Sequence, residues 1–159
     1  MKGFSILAGI AMVLFSATGL QAQDSIPAKG FAAFDETGVF KPYGFNRHAV
    51  GDDEIQMEIL YSGICHSDLH NVHGDWRKEE YPMVPGHEIA GKVVNVGKNV
   101  TKFKVGDYAG VGCIINSCHE CDFCKNGQEH YCSHTVSTYH DHDPYHNNER
   151  TQGGYSNNY

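Results

Sequence analysis

The sequence predicts a mainly β fold: a small, partly closed β barrel with a loop lobe built around four cysteines. Three observations predict it. Short β-branched or alternating apolar runs recur between glycine turns. Four of the six cysteines fall within residues 118–132. No G-x-G-x-x-G motif follows a strand and no alternating βαβ pattern occurs, so a Rossmann domain is absent from these residues.

The 159 residues, 40% of them hydrophobic, suffice for one domain with a core. Nineteen acids against twelve bases give a net charge of −7 with no basic run, which argues against a nucleic-acid partner.

Taken in order, residues 1–22 read as a secretory signal. Lys2 gives a basic start, and the twelve-residue apolar run FSILAGIAMVLF (4–15) is too short for a stable membrane span. Small and polar residues then lead to Ala22. The expectation is export to a periplasm or the exterior, with no membrane association once the signal is removed. A buried N-terminal helix or an uncleaved anchor is the alternative. Residues 23–30, with Pro27, read as a spacer into a first strand holding Phe31 and Phe34. Phe40, Tyr43 and Phe45 alternate loosely, broken by Pro42. Gly51-Asp52-Asp53 is a turn. Residues 54–64 place Ile55, Met57, Ile59 and Tyr61 at period two, a half-buried strand. Residues 65–74 suit a short helix stopped by Gly74. Residues 89–96 and 108–111 read as strands. Residues 117–132 lack any period and read as a loop built around something. Residues 133–152 are polar, and His130, His134, His140, His142 and His146 read as a solvated stretch rather than a dedicated metal site.

Cys118, Cys121, Cys124 and Cys132 follow C-x2-C-x2-C-x7-C. Four thiolates close in sequence can surround a tetrahedral Zn2+, and four protein ligands leave no open position, so this reads as a structural site. The last spacing and the following Ser133 disfavour a ferredoxin-type cluster. Asp122 and Lys125 stand where a c-type haem motif needs histidine. Two disulfides are the alternative in an oxidising compartment. Cys65, His87 and Glu88 are more scattered. A thiolate, an imidazole and a carboxylate form the ligand set of a catalytic zinc, but spacing alone cannot bring them together.

The runs GICHSDLHNVHGDW (63–76) and YPMVPGHEIAGKVVNVG (81–97) resemble the zinc-containing medium-chain alcohol dehydrogenases. The run VGCIINSCHECDFCKNGQEHYC (111–132) is similar to their structural zinc lobe. The resemblance extends from about residue 31 to 159 and is nearest to the cinnamyl-alcohol-dehydrogenase-like branch of NADP-dependent aldehyde reductases. It implies a GroES-like β barrel joined to a Rossmann domain, one catalytic and one structural Zn2+, NADP(H), and a small alcohol or aldehyde substrate. By the same resemblance Cys65 and His87 are ligands of the catalytic zinc and Glu88 is the acid beside it. Asp68 orients the zinc-bound imidazole. Ser67 takes the substrate proton and His70 relays it. His66 faces the cofactor pyrophosphate, and Trp76 walls the substrate pocket. Cys118, Cys121, Cys124 and Cys132 hold the structural zinc, and Cys113 has no metal role.

The resembled family takes a third protein ligand, a downstream cysteine, and starts a mid-domain strand at Gly-Gly-Tyr-Ser, which residues 153–156 match. The expectation is therefore an incomplete N-terminal catalytic domain over 31–159, inactive alone, with barrel strands missing, an unpaired edge and an unfinished core. The alternative is a secreted, non-catalytic zinc-binding module. Ser67, Asp68 and His70 favour the enzyme, because a metal-holding module needs no proton relay.

Overall fold

The computed structural model describes residues 25–159. The signal read over 1–22 lies outside the described residues. Strand β1 is Ser25–Ala33 and pairs antiparallel along its whole length with β2, Phe40–His48. The expected spacer is thus corrected: residues 25–30 belong to β1. Small residues look like linker in a sequence, but Ala28, Ala32 and Ala33 are fully buried. Their size lets other segments pack close against the strand. Pro42 does not interrupt β2, which among the described residues pairs only with β1 and so tolerates a residue lacking an N–H.

Strand β3, Ile55–Ser62, pairs antiparallel with β4, Ile89–Val96, which pairs in turn with β5, Tyr108–Val111. Irregularities between Gln56 and Met57 and between Ile59 and Tyr61 bend β3. Between β3 and β4 the chain forms helix α1, His66–His73, ended by Gly74. Residues 155–159 run between the two sheets. Phe31 N–H donates to Tyr155 O and Asn157 N–H to Lys29 O on one side. On the other side, Ile59 N–H donates to Asn157 O, and Met57 and Tyr159 exchange both backbone bonds. The hydrogen-bonded order is therefore β2, β1, 155–159, β3, β4, β5, an open sheet rather than a closed barrel. The unpaired edge expected from the sequence is corrected at β1 and β3: the Ser-Asn-Asn-Tyr segment, residues 156–159, fills the gap between them.

One cluster of buried residues joins Ala33, Val72, Met83 and Tyr139. The other centres on Met57, Ile89 and Val93, with Ile55, Phe103, Val111 and Tyr159 packed against it. The cysteine region begins at β6, Ile114–Asn116, which pairs with β7, Val136–Ser137. Between them lie α2, Asp122–Lys125, and a 3-10 turn, Glu129–Tyr131; neither contains a buried residue. Strands β8, His142–Asp143, and β9, Glu149–Arg150, form a short hairpin. The polar stretch 133–152 is less solvated than its composition suggests, since Val136, Thr138, Tyr139 and Asp143 are buried. Among the described residues no helix is long and apolar enough to cross a membrane.

Candidate metal and proton-transfer site

The site arises where β3 ends and β4 begins. Ser62 stands opposite Ile89, and Gly63 N–H donates to Glu88 O at 2.8 Å. The turn into α1 after β3 and the entry into β4 are therefore neighbours, although 22 residues separate Cys65 from His87 in the sequence. Ligand atoms of Cys65, His87 and Glu88 all lie within 4.8 Å of one another. Gly63 lets the Glu88 side chain pack over it: a Cβ at that position would lie 3.0 Å from Glu88 Cβ and would push the carboxylate aside.

Asp68 is the hub. It is 2% exposed. Its Oδ2 accepts from Cys65 N–H at 3.0 Å and from the Tyr155 hydroxyl at 3.0 Å. Its Oδ1 accepts from Gly86 N–H at 3.1 Å and lies 3.3 Å from His87 Nδ1. One carboxylate thus fixes the helix start, the loop before β4 and the His87 ring. With Nδ1 turned to Asp68, His87 has Nε2 left for a metal, the outer-carboxylate arrangement that sets both tautomer and ring orientation. A thiolate, an imidazole and a carboxylate suit Zn2+, and three protein ligands leave a fourth position open.

The Ser67 hydroxyl donates to Cys65 Sγ at 3.3 Å, so it stands at the edge of the ligand set. His70 is one turn along α1. Its Nδ1 is 2.8 Å from Asp75 Oδ2, and its ring stacks on Trp76 at 4.9 Å. His66, exposed in the first turn, meets the His70 ring edge-on at 4.8 Å. Trp76 is 62% exposed beside this face. The structure therefore groups Cys65, Ser67, Asp68, His87 and Glu88 directly, with His70, His66 and Trp76 along one adjoining surface.

Sequence reasoning missed Tyr155, Tyr139 and Asn71. The Tyr139 ring lies over His87 at 6.0 Å, and its hydroxyl accepts from Asn71 Nδ2 at 2.9 Å. Burial, reinforced by the Asp68 charge, pushes the Tyr155 phenol well above its usual range, so it stays a donor. Gly86, at φ 102°, passes so close to the Tyr155 ring that a Cβ would lie 2.7 Å from Cδ1. The Gly-Gly-Tyr run at 153–155 was the available signal. It marks a backbone approach to residues 84–86, where Gly153 N–H donates to Val84 O and Tyr155 N–H to Pro85 O.

The four lobe cysteines also converge within 4.8 Å. A tetrahedral ion with Zn–S bonds of about 2.3 Å holds neighbouring sulfurs about 3.8 Å apart. Here Sγ of Cys118 is 3.9 Å from that of Cys124 and 3.5 Å from that of Cys132, and Cys121 is 3.5 Å from Cys124. These separations fit a shared metal and are longer than the S–S bond of about 2.05 Å in a disulfide. The Cys118 thiol is drawn down to about 6 by backbone N–H groups of Glu120 and Cys121, whereas at Cys121 the pull of a backbone N–H from Cys124 is outweighed by burial and the neighbouring sulfurs, which hold it up at about 11, so the cluster gives up its first proton at Cys118. Cys113 is exposed and stands outside both clusters.

Residues 51–158 match the alcohol dehydrogenase GroES-like domain. Cinnamyl alcohol dehydrogenase 8 of Arabidopsis thaliana is 49% identical over 129 residues, covering 81% of this chain and 35% of that protein. The crystal structure of a CAD from Helicobacter pylori complexed with NADP(H) superposes with a TM-score of 0.83 at 52% identity, covering 85% of this chain and 39% of that one. A cinnamyl alcohol dehydrogenase from Sorghum bicolor gives a TM-score of 0.81 at 43% identity, covering 84% and 38%. The chain thus spans little more than a third of the length of these relatives. Its matched domain, identity and superposition agree with the site geometry: the chain belongs to the zinc-containing medium-chain alcohol dehydrogenases, in the cinnamyl-alcohol-dehydrogenase-like branch.

Proposed function

We propose that these residues form the metal- and proton-handling part of a zinc-dependent alcohol dehydrogenase or aldehyde reductase that uses NADP(H). The observation that carries this reading is the convergence of Cys65, His87 and Glu88, with Asp68 behind His87 and the Ser67 hydroxyl beside Cys65. A zinc ion held by Cys65, His87 and Glu88 would supply a Lewis acid for an alcohol or carbonyl oxygen, and bound NADP(H) would supply the hydride chemistry.

This chain's own groups do the rest. Asp68 fixes the His87 ring and the start of α1. The Ser67 hydroxyl accepts the alcohol proton and passes its own onward. His70, with Nδ1 turned to Asp75, keeps Nε2 free to receive that proton and release it to solvent. His66 faces the cofactor phosphates, and Trp76 walls the substrate side. Cys118, Cys121, Cys124 and Cys132 hold a second, structural zinc. The preference for NADP(H) is supported by the Helicobacter pylori relative, which was solved with it. Residues 1–22 direct export, which N-terminal sequencing of the secreted protein tests: a mature start at Gln23 is expected, and retained Met1 overturns it.

The central test pairs metal content with turnover. Cys65→Ala should remove one zinc equivalent and Cys118→Ala a different one. In the protein at the length of its relatives, Ser67→Ala should cut NADPH-dependent aldehyde reduction about 10²–10⁴-fold. Undiminished turnover in Cys65→Ala would overturn the proposal.

A further inference from the structure

A third set of metal-binding side chains lies apart from the thiol clusters. His48 at the end of β2, Glu54 just before β3 and His146 between β8 and β9 bring ligand atoms within 4.8 Å of one another. His48 Nε2 is 3.2 Å from Glu54 Oε2, and His146 Nε2 is 2.9 Å from Glu54 Oε1. The carboxylate is itself fixed, because Oε2 accepts from Gly51 N–H at 2.7 Å. We propose that His48, Glu54 and His146 form a binding site for a divalent transition ion of the Zn2+ or Ni2+ class, with Nε2, Nε2 and carboxylate as donors.

Three further observations favour a metal over a simple ion-pair knot. Each imidazole has a carboxylate behind its other nitrogen. His146 Nδ1 is 2.8 Å from Oδ2 of buried Asp143, and His48 Nδ1 is 3.4 Å from Glu149 Oε2. This is the outer arrangement that orients imidazole ligands and raises their basicity. Next, neither neighbouring arginine hydrogen-bonds to these three carboxylates, although the Arg47 charge still faces Glu149. Arg47 spends its donors on the carbonyls of Gln152, Gly153 and Asn158, and Arg150 on those of Pro82 and Glu80. Finally, the three donors line a cavity of about 390 Å3, which leaves room for water or a small ligand to complete the coordination.

The rings of His48 and His146 stack at 4.0 Å with planes 5° apart. Parallel rings cannot aim both lone pairs at one ion, so binding must splay them apart by rotation about their χ2 bonds. Loss of the stack is therefore part of the proposal.

Co2+ titration of the full chain, its thiol sites already filled with zinc, tests the site. The expected result is one further equivalent with ligand-field absorption and no thiolate-to-cobalt charge-transfer band. Glu54→Gln and His146→Gln should each weaken it at least about tenfold, while His142→Gln, an exposed control, leaves it unchanged. The zinc content of the thiol sites and the far-UV circular dichroism report whether each variant folds. In the unaltered chain, bound Co2+ should also give hyperfine-shifted ring protons from two imidazoles, a readout that needs no variant. Absence of the extra equivalent, or its persistence in both folded variants, overturns the proposal, as does an equivalent with no shifted imidazole.

Discussion

Asp68 accepts from Cys65 N–H, Gly86 N–H and the Tyr155 hydroxyl while facing His87, so one side chain controls both order and metal affinity. Asp68→Asn should lower zinc affinity at the Cys65 site about 10–100-fold, read by chelator competition, and should also lower the melting temperature. Tyr155→Phe removes only one of these bonds and should cost about 1 kcal/mol, read by denaturant unfolding. The meeting of Cys65, His87 and Glu88 was expected only through the family resemblance of the runs around them, since their spacing alone does not bring them together. Tyr155 was not legible, since its meaning is a bond to a residue 87 positions earlier. Asp141 offers a pH test. Burial alone would raise its carboxyl, but hydrogen bonds from Ser137 and the Arg77 guanidinium outweigh it, and the net displacement is downward. A carboxyl whose folded value is depressed contributes stability above its unfolded value and loses it as pH falls through the folded one. Asp141→Asn should therefore destabilise by about 1 kcal/mol at neutral pH, and the difference should shrink as pH falls below the ordinary carboxylate range, measured by urea unfolding across pH.

At the scale of elements, the cysteine lobe stands out because α2 and the 3-10 turn bury no residue. A segment without an apolar core takes its folding energy from elsewhere, and four converging sulfurs supply it only when they share a metal. Chelation should therefore open residues 117–132 to protease while the sheet keeps its circular dichroism. Mass spectrometry of the early fragments checks this, with first cuts inside the lobe expected. Strands β3, β4 and β5 were readable from alternation and β-branching, and α1 from its glycine stop. β1 was misjudged in part, because buried alanines carry no periodic signal that separates them from linker. The hairpin of β8 and β9 was invisible for a related reason: two-residue strands held by polar side chains leave no apolar pattern.

For the molecule as a whole, residues 155–159 turn a hairpin and a three-stranded sheet into one hydrogen-bonded surface. Met57, 1% exposed, contributes to the core below that junction and exchanges backbone bonds with Tyr159. Met57→Ala should cost about 2–5 kcal/mol. Unfolding followed by Trp76 fluorescence and by far-UV circular dichroism should move down together, because the two halves form one cooperative unit. Separate transitions would mean that the junction is weak. The mainly β class and the cysteine lobe were legible from short-range pattern. The filled gap was not, because Ser-Asn-Asn-Tyr reads as polar loop and only two waiting edges give it a strand's role.

That junction also dictates an order of events during synthesis. The edge of β1 finds its neighbour only after residues made more than a hundred positions later have emerged. Until then β1 and β3 each offer an unsatisfied row of backbone groups to whatever is nearby. A growing chain of this kind is an open template until residues 155–159 emerge, and the exposure of these two edges to sticking or to chaperone capture ends only when that segment slides into place.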